Sequence, residues 1–310
     1  MLKAVDSFLL KSGYKSIGLA LDSQGDYMPK DSEWNYSDVL HLEYVHARVL
    51  GISLVCDVKH TNSLLIQRIG PFVFPALLHV VHEEHDCHEY LVTILSLVIS
   101  IRTKHEPRSG GGCLTTTAYK FYFRDPISRL LAWLARWSAR RNYQILMSED
   151  LPMRQQRHRL REMGIVFAYD KKPLIGFSDT LDITENHVDA SNLCPAGANI
   201  AIDLVGELGK CQLPELLLSI AWNQEVVTVW PLICPHEGAP LSACLSDVTT
   251  SIKCPWHGRR LLPLLEFSRT QVGSCYKVAL CELQIQLRLN EGDGGRLWLE
   301  LSSRPKSPES

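Results

Sequence analysis

Two short segments in the second half of the chain constrain its fold more than any other feature. CPHEGAPL (Cys234–Leu241) and CPWHG (Cys254–Gly258) each place one cysteine and one histidine close together, beside proline and glycine. The spacing of the four candidate ligands is C-x-H-x17-C-x2-H, which assigns the ligand positions to Cys234, His236, Cys254 and His257. Thiolates and imidazoles are metal ligands, so we expect the two loops to meet around one metal centre.

The distribution of these ligands separates two kinds of metal site. Two cysteines and two histidines can hold tetrahedral zinc, but zinc sites usually pair like with like in each loop. Here each loop supplies one thiolate and one imidazole, which is the set that a Rieske [2Fe–2S] cluster requires. The chain resembles the Rieske family in the flanking residues as well: Pro235, Gly238, Leu241, Pro255, Trp256 and Gly258.

The resemblance carries implications for potential and partners. High-potential Rieske proteins have an additional cysteine in each loop, whereas this chain has Trp256 in the second loop and leaves Cys244 without a partner there. The resemblance is therefore to the ferredoxin and oxygenase branch. It implies a reduction potential near the low end of the Rieske range of about −150 to +300 mV. It also implies that His236 and His257 lie near solvent, where an electron-donating reductase or ferredoxin docks.

Composition excludes several classes of protein. The 310 residues correspond to about two domains, and the net charge of −2 argues against a nucleic-acid-binding surface. The longest apolar run, Tyr90–Ile101, is much shorter than the roughly 20 residues of a membrane span, so no transmembrane segment is expected. Ten cysteines are too few for a disulfide scaffold. These features predict a soluble, cytoplasmic protein.

The first half combines β-like runs with a helical end. Five runs rich in Val, Ile, Thr, Phe or Tyr are predicted as strands: Ile52–Val58, Ser63–Ile69, Phe72–Val81, Tyr90–Ile101 and Cys113–Phe123. A helix is predicted over Trp34–Leu50, with Ser37 as its N-cap and Gly51 as its stop. Beyond Pro126 the period becomes helical, in one helix that carries the apolar stripe Ile127, Leu130, Leu131, Leu134 and Trp137 and a second over Pro152–Met163. This order resembles the helix-grip (START-like, SRPBCC) fold, whose members hold apolar ligands between sheet and helix.

The predicted organisation is α+β, with a START-like domain followed by an all-β Rieske domain. We assign residues 1–175 to the helix-grip domain, 176–194 to a linker, 195–303 to the Rieske domain and 304–310 to a disordered tail. We expect the stripe after Pro126 to pack on the sheet. The alternative is that this basic, tryptophan-bearing helix lies on a membrane surface.

A second candidate metal site lies in the first half. SDVLHLEYVHARVLG contains Asp38, His41 and His46, and SEDLPMRQQ contains Glu149 and Asp150. Two histidines and one carboxylate with open positions suit mononuclear Fe(II) that binds O₂. The segments resemble the catalytic half of Rieske non-haem iron oxygenases, in reversed domain order. That resemblance implies His41, His46 and Asp150 as iron ligands and Asp38 as a bridge for electrons from a neighbouring subunit.

Helix geometry adds a condition to this site. Residues i and i+5 on a straight helix point about 140° apart, so His41 and His46 need a kink, a bulge or a helix end between them to share a metal. Without such a break they would be two ordinary helix histidines. The run HVVHEEHDCHE (His79–Glu89) is a competing metal-binding segment, although a strand that ends in a polar turn explains it more simply.

Two functions remain open from the sequence. The first is an oxidoreductase, a Rieske-type oxygenase that hydroxylates or demethylates an apolar small molecule with O₂. By analogy with the family it would work as a homo-oligomer. The second is a ferredoxin-like, electron-transfer Rieske module fused to a START-like domain that binds a lipid or an aromatic ligand and has no second metal. They differ in whether the first domain holds iron.

Overall fold

The computed structural model describes residues 2–58, 62–69, 72–84, 87–162, 167, 199–205, 208–213, 217–234, 237–245, 251–280, 283–292 and 296–305. The chain divides into two compact units: of the described residues, 2–158 belong to the first unit, and 159–162, 167 and those from 199 onward belong to the second. The proposed linker, residues 176–194, lies outside the described residues, as do His236 and residues 306–310 of the proposed tail.

The first unit contains one antiparallel sheet of seven strands in the order β1-β7-β6-β5-β4-β3-β2. The strands are β1 (Lys15–Gly25), β2 (Ile52–Val58), β3 (Asn62–Ile69), β4 (Phe72–Glu84), β5 (Cys87–Ile94), β6 (Leu97–Pro107) and β7 (Cys113–Phe123). The prediction of one strand over Tyr90–Ile101 is wrong, because a tight turn at Leu95 divides it into β5 and β6, which pair from Ile94 and Leu97 onward. Leu95 has a φ of 54°, in the left-handed region. Turns with a positive φ usually contain glycine or asparagine, and neither residue occurs here to predict the turn.

Helices flank the sheet: α1 (Leu2–Lys11), α2 (Pro29–Ser37), α3 (His41–Tyr44), α4 (Ala47–Leu50) and α5 (Pro126–Glu162). The predicted helix Trp34–Leu50 is wrong as a single element, and Ser37 ends α2 rather than capping a new helix. The backbone leaves the helical region at Asp38, whose ψ is 83°, and again around His46. Gly51 ends α4 as predicted, with φ 65°; a Cβ there would lie 2.2 Å from the carbonyl oxygen of Arg68, so only glycine fits.

The two helices predicted after Pro126 form one helix of 37 residues. No glycine or proline occurs between Ser138 and Leu151, so nothing in that stretch ends the helix. The sheet and α5 share a core that includes Tyr90, Phe121 and Ala132. This mixed α+β architecture, an antiparallel sheet with a long C-terminal helix, is consistent with the predicted helix-grip fold. Among the described residues, no helix is both long and apolar enough to cross a bilayer.

The predicted core face of α5 is wrong. Of the five residues in the predicted stripe, Leu131 is half-buried, whereas Ile127, Leu130, Leu134 and Trp137 are exposed. The fully buried positions of this part of the helix are Ser128 and Ala132. Small side chains let the helix approach the sheet closely, and a search for large apolar residues does not detect such a face.

The second unit is built from short strands. They are β8 (Asn199–Asp203), β9 (Gly209–Leu213), β10 (Leu218–Trp222), β11 (Val226–Pro231), β12 (Ile252–Lys253), β13 (Arg260–Leu261), β14 (Leu265–Ser268), β15 (Cys275–Leu280), β16 (Leu283–Glu291) and β17 (Leu297–Pro305). They form sheets in the orders β14-β11-β10-β9, β15-β16-β17-β8 and β12-β13. The two four-stranded sheets contribute Ile220, Val229, Leu287 and Leu299 to one core. Beyond the end of α5, the regular elements described in this unit are strands and one short 3₁₀ turn, Ser242–Leu245.

Candidate metal sites of the two units

Three of the side chains proposed to bind iron lie together in the first unit. His41 is the first residue of α3, His46 precedes α4, and Asp150 lies in the second half of α5. The break between α3 and α4 turns the two imidazoles toward each other, so that their ring centres are 4.9 Å apart and nearly perpendicular. The helix end that coordination would require is therefore present.

The ligand atoms of these residues converge. His46 Nε2 lies 2.7 Å and His41 Nε2 lies 3.7 Å from Oδ1 of Asp150, and one ligand atom from each residue falls within 4.8 Å of the others. All three side chains are buried. Two imidazoles and one carboxylate in this arrangement are the donor set of the non-haem iron sites that keep positions open for O₂ and substrate.

The outer nitrogens of both imidazoles are held by acceptors. His41 Nδ1 donates to the backbone carbonyl of Asp38, and His46 Nδ1 donates to Oε2 of Glu149 at 2.8 Å. A carbonyl or carboxylate oxygen can only accept, so Nδ1 of each ring carries a proton. Nε2 of both rings faces Asp150, and in His46 this atom also donates, to Oδ1 of Asp150 at 2.7 Å, as long as no metal takes the place of its proton. Partners of this kind fix the tautomer and orientation of metal-binding histidines.

A buried arginine holds the other side of Asp150. Arg154, one helical turn further along α5, donates from Nη2 to Oδ2 of Asp150 at 3.1 Å. Its guanidinium also donates to Asn35 Oδ1 and to the Tyr27 hydroxyl, and Asn35 Nδ2 donates to Oδ1 of Asp150 at 3.2 Å. Neither Arg154 nor Asn35 was predicted from the sequence. An i,i+4 acid–arginine pair could have pointed to Arg154, but no local signal points to Asn35.

The surroundings set the charge of each group. Burial raises the pKa of Asp150, but the hydrogen bond from His46 and the charge of Arg154 outweigh it, so the pKa lies below its usual value. Burial lowers the pKa of His46, but the hydrogen bond and charge of Asp150 outweigh it and raise the pKa. Burial lowers the pKa of His41. Without a metal, Asp150 is thus an anion beside a protonated His46, and a cation bound there would replace the Nε2 proton.

Glu149 and Asp150 contact different nitrogens of His46. The sequence alone did not decide which of the two carboxylates is the metal ligand. Glu149 touches the outer nitrogen of His46, so we expect Glu149→Ala to keep one metal ion at the site but to weaken its binding by roughly 10- to 100-fold. Glu149→Gln, which retains an acceptor oxygen, should weaken it less. Anaerobic titration with Fe(II) measures both. Complete loss of the ion in Glu149→Ala would identify Glu149 as a ligand instead.

A second buried histidine pair lies on the sheet of the first unit. Ser37 Oγ is 2.8 Å from His88 Nε2, His88 Nδ1 is 3.1 Å from His105 Nε2, and His105 Nδ1 is 3.3 Å from Thr115 Oγ1. Of the proposed metal-binding run His79–Glu89, His88 belongs to this hydrogen-bonded chain, while His79 is exposed and bonded to Asn62. The side chains of His82 and His85 lie outside the described residues.

The buried pair makes stability depend on pH. Burial lowers the pKa of His88 to about 4 and, together with the charges of His88 and Arg154, that of His105 to about 2. Unfolded histidine titrates near 6.5, so the unfolded chain binds more protons between pH 6.5 and 4, and the folded state loses stability as the pH falls through that window.

We expect His88 alone to contribute roughly 3 kcal/mol of this acid destabilisation, with a further share from His105. Urea unfolding at pH 7, 6, 5 and 4 measures it. The double variant His88→Gln/His105→Gln should have a shallower slope of unfolding free energy against pH, whereas His79→Gln should match the wild type. Equal slopes in the wild type and the double variant would refute the assignment.

In the second unit, Cys234 and Cys254 occupy loops with the same hydrogen-bond pattern. In each loop the cysteine N–H donates to the carbonyl five residues later, and the cysteine carbonyl accepts from the glycine four residues later. The four bonds, Cys234–Ala239, Gly238–Cys234, Cys254–Arg259 and Gly258–Cys254, are 2.8–2.9 Å long. Gly238 and Gly258 have φ angles of 82° and 63°, which only glycine adopts without strain.

The structure brings Cys254 next to Cys234 and His257. A hydrogen bond from Cys234, opposed by burial and assisted by His257, lowers the pKa of Cys254 to about 5. Burial and the charge of Cys254 raise the pKa of Cys244, which is a free thiol. His236 lies outside the described residues. His257 is buried, so its expected position near solvent is wrong for this chain.

Comparisons with known proteins do not assign a family. No protein-family model matches the chain. No curated protein matches it either. Similar solved structures include a START superfamily protein from Mycobacterium smegmatis (9% identity, TM-score 0.36, 45% of this chain and 97% of that one). Norcoclaurine synthase from Thalictrum flavum (10%, 0.33, 44% and 90%) and a protein of unknown function from Staphylococcus aureus (9%, 0.36, 46% and 96%) are also similar. Each of these matches covers less than half of this chain.

Proposed function

We propose that this chain is a Rieske-type oxygenase with two metal centres. The observation that carries the proposal is the convergence of His41, His46 and Asp150, with each imidazole oriented through its outer nitrogen. The substrate proposed from the sequence is an apolar small molecule, and the reaction is its hydroxylation or demethylation with O₂. The electrons come from a separate reductase or ferredoxin.

The chemistry of the second-unit loops supports an iron–sulfur cluster. Cys234 and Cys254 lie in matching loops, and Cys254 has a pKa low enough to form a thiolate, the form that binds metal. His257 lies beside Cys254, and His236 completes the set by its spacing. Such a cluster supplies one-electron transfer when it is bound.

The residues of the first unit have different roles in the proposed iron site. His41, His46 and Asp150 would hold the metal through one atom each, and a ferrous ion held in this way would supply the activation of O₂. Glu149 and the carbonyl of Asp38 orient the two rings, and Arg154 holds Oδ2 of Asp150 so that Oδ1 faces the site. The side chain of Asp38 is proposed to bridge electron flow. Burial of the three ligands keeps bulk water away from them.

One observation favours the second candidate, an electron-transfer protein without mononuclear iron. The charge of Asp150 is already compensated by Arg154 and by protonated His46. A buried carboxylate that is paired and hydrogen-bonded in this way is stable without a metal. The same side chains would then form a structural ion-pair network.

Counting iron and sulfide tests the proposal. Protein that is reconstituted anaerobically with Fe(II) and sulfide should hold about three irons and two acid-labile sulfides per chain, because the cluster uses two irons and has no open position for O₂. Two irons with two sulfides would support the carrier instead. A colourless protein with stoichiometric zinc would exclude both.

A further inference from the structure

The long helix α5 has a second apolar face that points away from the core. Ile127, Leu130, Trp133, Leu134 and Trp137 are between 48% and 67% exposed. At 3.6 residues per turn they fall within an arc of about 120°, opposite the buried Ser128 and Ala132. Ile145 continues the row and is also exposed. Single exposed apolar residues are ordinary, but a continuous row containing two tryptophans is not.

Positive charge is concentrated beside this row. The helix has Arg129, Arg136, Arg140 and Arg141 and no carboxylate from Pro126 to Ser148, although the whole chain has a net charge of −2. Arg141 lies 5.0 Å above the ring of Trp137, and Arg136 lies 5.7 Å from that of Trp133. The arginines therefore lie beside the tryptophans, and this part of the helix contains no carboxylate that would neutralise their charge.

We propose that this outer face of α5 binds the surface of an anionic phospholipid membrane, with the helix parallel to the bilayer plane. The exposed apolar row suits the boundary between headgroups and acyl chains, where tryptophan is favoured, and the arginines suit the lipid phosphates. A second copy of the same face fits less well, because it would bring equal charges together. Nucleic acid would match the arginines but not the apolar row.

Vesicle sedimentation of the full chain tests the proposal. The protein should bind phosphatidylcholine vesicles weakly and vesicles containing about one-third phosphatidylserine at least tenfold more strongly, with binding reduced by high salt. Trp133→Ser/Trp137→Ser and Arg140→Glu/Arg141→Glu should each reduce binding at least tenfold. Both pairs are exposed, so thermal unfolding should not change.

Two matched variants control for general effects. Val205→Ser/Leu208→Ser removes apolar side chains of the second unit that are even more exposed than the tryptophans, and Arg108→Glu/Arg260→Glu makes the same change in net charge elsewhere. Both should bind like the wild type. Equal binding by all variants, or no preference for anionic vesicles, would overturn the proposal. So would sedimentation equilibrium that shows a dimer in the wild type and a monomer in Trp133→Ser/Trp137→Ser, because the face would then join two copies.

Discussion

Replacement of His41 by alanine is expected to lower the iron content of the anaerobically loaded protein from about three atoms per chain to about two. The variant removes one of three converging ligand atoms and leaves the loops of the second unit unchanged. Because burial keeps His41 largely neutral, its loss leaves no buried charge unpaired. The visible and electron paramagnetic resonance spectra of the cluster should stay the same. Iron and sulfide analysis together with these spectra provides the measurement.

The role of Asp150 in iron binding is better tested with a conservative substitution than with alanine. Asp150→Ala would leave the buried Arg154 without its carboxylate, a change that costs about 3–5 kcal/mol in comparable buried pairs. Asp150→Asn keeps the shape and one acceptor oxygen while removing the charge that a ferrous ion needs, so it should also lower the iron content to about two.

Two control variants complete this iron series. His79→Ala, at an exposed histidine of β4, should retain all three irons. Asp38→Ala should retain them as well, because the backbone carbonyl rather than the side chain holds His41, and should slow electron delivery. Three irons in His41→Ala would show that the additional metal is bound elsewhere.

The sequence predicts most of the sheet of the first unit because local chemistry determines its strands, although β1 was not among the predicted strands. Val-, Ile- and Tyr-rich runs become strands, and residues 108–112 become the turn between β6 and β7, since the glycines there permit the reversal. The turn at Leu95 was missed because a leucine with positive φ is held there by the pairing of β5 with β6 rather than by its own preference.

The faces of α5 show a different limit. A helical pattern of large apolar residues normally marks the core side, but here small residues such as Ala132 pack on the sheet, and four of the five large residues of the predicted stripe are exposed. The periodicity of a helical sequence shows which residues share a face of the helix, but it does not show which face is buried. Only the sheet, which is formed by residues distant in sequence, decides that.

The grouping of His41, His46 and Asp150 was predictable from the sequence, but the residues that hold them in place were not. The spacing of His41 and His46 and the acidic pair downstream identified the members. The choice between Glu149 and Asp150 depends on the rotation of α5, because neighbouring residues on a helix point about 100° apart. That rotation is set by tertiary packing. Asn35, which joins Asp150 to Arg154, lies more than a hundred residues earlier in the chain and has no local signal.

Removal of either loop cysteine is expected to have the largest effect on the second unit. Cys234→Ala or Cys254→Ala should abolish the cluster and its visible colour, because two thiolates must hold one of its irons. A bound metal centre stabilises only the folded loops, so the unit should also lose on the order of 5 kcal/mol of stability relative to the loaded wild type. Visible absorption and thermal unfolding measure the two effects.

The controls for these variants are other free cysteines of the same unit. Cys211→Ala and Cys275→Ala change residues that are half-buried and exposed, and both should keep the cluster and the unfolding temperature. Cys244→Ala is the sharper comparison, because Cys244 lies near enough to Cys254 for the two to affect each other's charge, yet it is outside the proposed ligand set. A cluster that survives in Cys254→Ala but not in Cys244→Ala would reassign the ligand and remove the basis for the Rieske spacing.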